Sequence, residues 1–314
     1  MTSAIELSDV NKSFGDKRAV RDLSLSIPRG ALYGVIGPNG AGKSTTLRMI
    51  LSILLPDSGR ISVLGGSALE AKDRIGYLPE ERGVYRKMKV GEFLLHMAVL
   101  KGMSRADARR EAGRWLERVG LADTAGKRCE ELSKGMQQKV QYIAAVIQQP
   151  ELLILDEPFS GLDPVNMRLL KDLILEQHAR GTTILFSTHV MFQAEQLCDH
   201  IVMIHNGRKV LDDPLAAIRA RHLPRALDFE PLDASADVAV ALGGLAGIGS
   251  IQRNEGRYRL GFDPDIDAGA MVQAIAARLP PARLELVRPS LEDVFIQIAT
   301  AQGEPVPATA EVAA

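Results

Sequence analysis

Apolar side chains recur along the chain with two periods, and the switches between them mark out the elements. Ile5 and Leu7 alternate with polar residues, as do Leu23, Leu25 and Ile27 in RDLSLSIP, so the chain is predicted to open with strands and to turn at Pro28-Arg29-Gly30. ALYGVIG is a short apolar strand that leads into the glycine-rich GPNGAGKST at 37–45. A helix is predicted from Ser44 to Leu55, stopped by Pro56, after which PDSG turns into the strand RISVLG.

Between about 84 and 149 the period is helical throughout. Val90, Phe93, Leu94, Met97 and Ala98 share one face. Ala108, Ala112, Trp115, Leu116 and Val119 share another, opened by Ser104 with Asp107 three residues on. Met136, Val140, Ile143, Ala144 and Ile147 form a third, which ends before Pro150. Strands return as ELLILDEP (151–158), TTILFSTH (182–189) and HIVMIHNG (200–207), with helices predicted at 164–180 and 190–198. Apolar strands alternating with helices predict an α/β fold with a parallel sheet covered on both faces, into which the helices of 84–149 are inserted.

After about 222 the composition thins to Ala, Gly, Leu and Asp. RALDFE, SIQRNEGRYRLGF and ARLELV read as strands, the middle one a hairpin turning at Asn254-Glu255-Gly256, with helices near 234–243, 267–279 and 290–300. That order predicts a small α+β domain of split βαβ type over 223–300, followed by a disordered tail at 301–314.

Composition narrows the function. With 38 Lys+Arg against 39 Asp+Glu the net charge is −1, so no overall basic field favours nucleic acid, and no nucleic-acid partner is expected. Cys129 and Cys198 lack metal-ligand spacing and fit a reducing compartment. The start has no basic stretch followed by an apolar one, and no apolar run approaches the ~20 residues that cross a bilayer, so a cytoplasmic protein is expected.

Gly37, Gly42, Lys43 and Ser44 satisfy GxxxxGK[ST] directly after a strand and before a helix. Glycines let backbone N–H groups wrap phosphates, Lys43 sets a point charge at the β and γ oxygens, and Ser44 offers a hydroxyl to Mg2+. Asn39, Gly40 and Thr45 belong to the same phosphate-binding loop; the alternative is a plain glycine turn. In LLILDEP a buried strand ends on two carboxylates, where open α/β sheets bind ligands. Asp156 is expected to hold Mg2+ and Glu157 to activate water, although such a pair alone is more often a helix cap. Ser133 opens a second helix in ELSKGMQQKV, where free N–H groups suit an anion.

Five motifs in order, GPNGAGKST, LSKGMQQK, LLILDEP, SGLD and STH, resemble the ATP-binding subunits of ABC transporters over about 1–222. The resemblance implies a P-loop NTPase cassette with a helical subdomain; the small α+β domain after it is predicted to be ferredoxin-like from its own element order. It makes Phe14 the aromatic that stacks on adenine, places Asp163 in a loop coupling two sites, and makes His189 the histidine that reaches the γ-phosphate. Unaided, Phe14 reads as core and His189 as a strand-end histidine. The resemblance further implies that Ser133 and Gly135 contact ATP held by Lys43 of a second ATP-binding subunit, a copy or a paralogue.

The family's loop glutamine that touches Mg2+ is matched by Glu80, and Lys134 stands where the signature has glycine, either strengthening attraction across that interface or pointing to solvent. PEERG and RPSLEDVFIQIA are similar to a branch that drives ABC-2 type permeases in export. The expectation is an ATPase that drives a separate integral membrane permease from the inner face of the membrane. The rivals are an ABC ATPase acting on nucleic acid or ribosomes, and a non-catalytic nucleotide-dependent regulator.

Overall fold

The computed structural model describes residues 2–81, 83–221, 226–254, 257–263 and 266–301. The chain divides into two compact units, Met1–Leu215 and Ala216–Ala314.

The first unit is built on a six-stranded sheet. Its strands are β3 (Leu32–Ile36), β5 (Ile75–Leu78), β6 (Leu152–Asp156), β7 (Thr183–Thr188), β8 (His200–His205) and β9 (Arg208–Pro214), in the order β5-β6-β7-β3-β8-β9. The first five pair in parallel, and β9 runs antiparallel at the edge. In β3, β6 and β7 every residue is buried, the pattern of strands covered on both faces.

A separate antiparallel sheet holds β1 (Ser3–Phe14), β2 (Lys17–Pro28) and β4 (Ser58–Val63), in the order β2-β1-β4. The predicted strands are present, but those that alternate, half-buried, form this second sheet instead of joining the parallel one. Their inward residues Ile5, Leu7, Val10, Leu23 and Ile27 share a core with Tyr33, Val35, Leu152, Ile154 and Val202 of the central sheet, and with Leu47, Met49 and Ile50 of helix α1 (Lys43–Ile50). Antiparallel alternation thus supplies one cover of the parallel sheet.

Helix α1 is shorter than the predicted 44–55. Ser52 adopts φ 56°, Ile53 N–H bonds Arg48 O at 2.9 Å and Ser52 N–H bonds Met49 O at 3.0 Å. That is a Schellman end, which satisfies the last carbonyls before Pro56 has any effect.

The inserted helices are α2 (Val90–Leu100), α3 (Arg105–Arg118) and α4 (Lys134–Val146). The Ser104 hydroxyl caps α3 by accepting from Asp107 N–H, as its sequence predicts. Helix α4 is buried beyond one stripe, taking in Gln138 and Gln141 as well as Val140 and Ile143. Helices α5 (Pro164–Ala179) and α6 (Met191–Leu197) connect β6 to β7 and β7 to β8.

The second unit begins within α7 (Leu215–Arg221) and continues with β10 (Ala226–Pro231), α8 (Val238–Leu242), β11 (Ile248–Asn254), β12 (Arg257–Phe262), α9 (Ala268–Arg278), β13 (Pro281–Val287) and α10 (Leu291–Ala301). Its antiparallel sheet, ordered β11-β12-β10-β13, has the βαββαβ topology of a ferredoxin-like fold. Leu227, Phe229, Leu260 and Phe262 face its core, while Asp228 and Arg259 pair on the other side at 2.9 Å. The predicted boundary at 222, the turn residues Glu255 and Gly256, and 302–314 of the predicted tail lie outside the described residues.

Candidate functional site

Strand β3 feeds the glycine-rich loop, and the loop's geometry needs its glycines. A Cβ on Gly37 (φ 152°) would stand 2.1 Å from Ile204 O, and one on Gly42 (φ 108°) 2.4 Å from Ala19 O. Gly42 N-caps α1 in a left-handed conformation, with no side-chain cap on the free N–H groups. Lys43 folds back over the loop, and its Nζ donates to Gly37 O at 2.8 Å and Pro38 O at 3.2 Å. Burial holds the Lys43 ammonium below the ordinary lysine range, opposed by Glu157, Asp156 and Glu80. A buried ammonium bonded only to carbonyls is well placed to take phosphate oxygens.

The loop borders a groove of about 250 Å³. Asn39, Gly40, Gly42, Lys43, Ser44 and Thr45 line one side, with Phe14, Lys17, Ala19, Glu80 and Glu157 around them. Phe14 ends β1, and its ring is 51% exposed at the lip, with Lys12 Nζ 5.7 Å from the ring centre. The core reading of Phe14 is therefore set aside: an aromatic face is presented to the groove.

Strand β6 delivers the two carboxylates. Asp156 is buried, and its Oδ1 accepts from Ser187 Oγ at 2.8 Å and lies 3.5 Å from Ser44 Oγ. Burial pushes the Asp156 carboxyl above the usual range, with Glu157 adding repulsion while Ser187, Ser44 and Lys43 oppose it. Successive residues of a strand face opposite ways, but Glu157 adopts φ 48°, and beyond that left-handed turn it lines the groove, with Asp156 behind it beside Ser44. Glu157 Oε1 accepts from His189 N–H at 2.8 Å and lies 2.7 Å from His189 Nδ1, while Thr188 Oγ1 stands 3.1 Å from Oε2. His189 directly follows β7, and its side chain, 45% exposed, meets Glu157 through Nδ1 while part of the ring faces outward.

Ser133 and Gly135 do not line this groove. They open α4, where Ser133 Oγ accepts from Met136 N–H at 3.3 Å; Ser133 is exposed and Gly135 half-buried. Lys134 is exposed at the first helical position. Asp163 caps α5, its Oδ1 accepting from Val165 N–H at 3.0 Å and Asn166 N–H at 2.9 Å. Those bonds, Asn166's first, hold the Asp163 carboxyl below the usual range. Asn166 also lies 3.4 Å from where a Cβ of Gly135 would stand, so the starts of α4 and α5 adjoin.

Sequence reasoning passed over Ser187 and Thr188, the first two residues of STH, which position the carboxylates. Their signal was available, since hydroxyls ending a buried strand need acceptors and the neighbouring strand ends on two. It also passed over Lys17 and Ala19, which line the groove from β2.

Comparison with known proteins agrees with these features. Residues 20–160 match the family described as ABC transporter. The uncharacterized ABC transporter ATP-binding protein YhaQ of Bacillus subtilis (strain 168) is 49% identical over 216 residues, 68% of this chain and 72% of its own. Nod factor export ATP-binding protein I of Rhizobium sp. (strain N33) is 38% identical over 224 residues, 70% of this chain and 74% of its own. A solved structure described as the ATP binding subunit of an ABC transporter superposes with a TM-score of 0.65 at 34% identity, over 70% of this chain and 93% of that one.

Proposed function

Since the chain belongs to the ABC transporter family and is the ATP-binding, ATP-hydrolysing subunit of a transporter, we propose that it powers export through a separate membrane permease. Among the described residues no helix is long and apolar enough to cross a membrane, so the path for cargo is assigned to that partner. Export, the cytoplasmic position on the inner face and the absence of a nucleic-acid partner are part of the same proposal, supported by the relative named for Nod factor export and by the net charge of −1.

One observation carries the mechanism. Lys43, Ser44, Asp156 and Glu157 converge at the mouth of β3 and β6, whereas Ser133 and Gly135 open a helix that does not line that groove. A second copy or a paralogue set head to tail brings its own serine-led helix start to the open side, and ATP between them favours the closed pair through contacts made only there.

Phe14 stacks on adenine, the loop from Gly37 to Thr45 cradles the phosphates, and Lys43 exchanges its carbonyl partners for the β and γ oxygens. Ser44 and Asp156, hard oxygen donors 3.5 Å apart, fit Mg2+, and Glu80 stands near as a further oxygen. Two or three protein oxygens suit an ion that would take its remaining ligands from the phosphates and water. Bound Mg2+ supplies neutralisation of charge on the phosphate oxygens.

Glu157 takes the proton of the attacking water as the water oxygen bonds the γ-phosphorus and the bond to the ADP oxygen breaks. His189 leaves Glu157 and reaches the γ-phosphate, and Asp163, at the start of α5 beside Gly135, links the two sites. Replacing Glu157 with Gln is expected to lower kcat at least ~100-fold, within the range of a lost general base, with ATP affinity retained and dimers trapped. Turnover near the wild-type rate would remove Glu157 as the base. Specific activity that does not change on dilution through the dimer dissociation range, with the chain monomeric in ATP, would remove the shared pocket.

A further inference from the structure

Beyond its first turn, α4 carries three side chains that end on backbone carbonyls of three other segments. Gln137 Nε2 reaches Cys129 O and Leu132 O, both at 3.1 Å, and Lys139 Nζ reaches Val119 O at 3.3 Å. Between them, Gln138 Nε2 donates to Pro158 O at 2.9 Å. Gln138 is only 3% exposed, so its amide is held where an unpaired donor would be costly.

Pro158 directly follows Glu157. Proline has no N–H, so Pro158 itself can be held through the backbone only by its carbonyl, while the Glu157 carbonyl before it accepts from Ser160 N–H at 3.1 Å. On the other side, Glu157 N–H donates to Ser187 O at 3.0 Å. Glu157 sits at φ 48°, where a residue with a Cβ persists only if its surroundings determine it. The Ser187 carbonyl holds the turn from one side, and the Ser160 N–H and the Gln138 amide hold it from the other.

We propose that Gln138 is a positioning residue for ATP hydrolysis. By holding the Pro158 carbonyl it fixes the turn that brings Glu157 into the groove, and because it shares a helix with Ser133, seating of that helix start on the partner's nucleotide is transmitted to this chain's own base. The inference rests on Glu157 being the base.

The test uses the full chain with Glu157→Gln as a parallel control. Gln138→Met keeps the volume and removes the donor, so kcat falls ~10-fold or more, as for a small misplacement of a catalytic group, while KM and the Kd for a fluorescent ATP analogue stay within about twofold. Gln138→Glu cannot donate when ionised but donates again through its O–H when protonated, so its activity relative to wild type rises as pH falls.

Wild-type kcat in Gln138→Met overturns the proposal, and so does a flat relative pH profile in Gln138→Glu. Should Gln138→Met fail to fold, the pH profile of Gln138→Glu still decides. An inactive Glu157→Gln beside a fully active Gln138→Met rejects Gln138 alone, whereas an active Glu157→Gln rejects the base on which it depends.

Discussion

Asp156 and Lys43 are each buried at a cost that the proposed Mg2+ and nucleotide would relieve. Burial raises the Asp156 carboxyl above the usual range, so the folded protein binds this proton more tightly than the unfolded chain does. Its contribution to stability is therefore present at low pH and lost as pH rises through the raised value. At neutral pH, Asp156→Asn is expected to stabilise the nucleotide-free protein while abolishing Mg2+-dependent turnover. In thermal melts the gap between variant and wild type should close as pH falls. The pattern GxxxxGK[ST] and the carboxylate pair were legible because their chemistry is local to a few adjacent residues. The setting of Glu157 was not legible: its left-handed backbone, its contacts with Thr188 and His189, and the bond from Gln138 to the neighbouring Pro158 carbonyl arise from strands and helices distant in sequence.

Elements were predictable where a period ran long enough to show a face, as in α2, α3, α5 and the alternating β1 and β2. Strand β5 spans only Ile75–Leu78 and β9 reads RKVLDDP with no alternation, so neither was predicted; pairing with β6 and β8 makes them strands. Helix α1 was overextended because Pro56 was taken as its stop, when a serine in the left-handed region ends it first. Ser52→Gly relieves that conformation and should raise stability by about 0.5–1 kcal/mol, read as a higher denaturation midpoint with unchanged slope. Ser133→Ala removes the cap of α4, a loss of about 0.5–1 kcal/mol. Its effect on turnover in the dimer should be far larger than that stability change explains, which kinetics and melts on the same preparation will separate.

At the scale of the whole molecule, each unit has its own buried cluster, and the nucleotide groove is built entirely from residues of the first. Leu260→Ala, in the centre of the second cluster, is expected to cost that unit about 2–5 kcal/mol. Calorimetry should show one transition moving down while ATP raises the other, with kcat within about twofold of wild type. Strand β3, which feeds the phosphate loop, pairs with β7 and β8, both encoded far downstream. A ribosome must therefore release the chain through His205 before Leu32–Ile36 has neighbours on both sides, and until then a wholly apolar segment waits uncovered in the nascent polypeptide. Synthesis interrupted short of that point is expected to leave a product that carries GPNGAGKST but lacks β8 beside it, and so to hold nucleotide poorly and to expose apolar surface to chaperones and proteases.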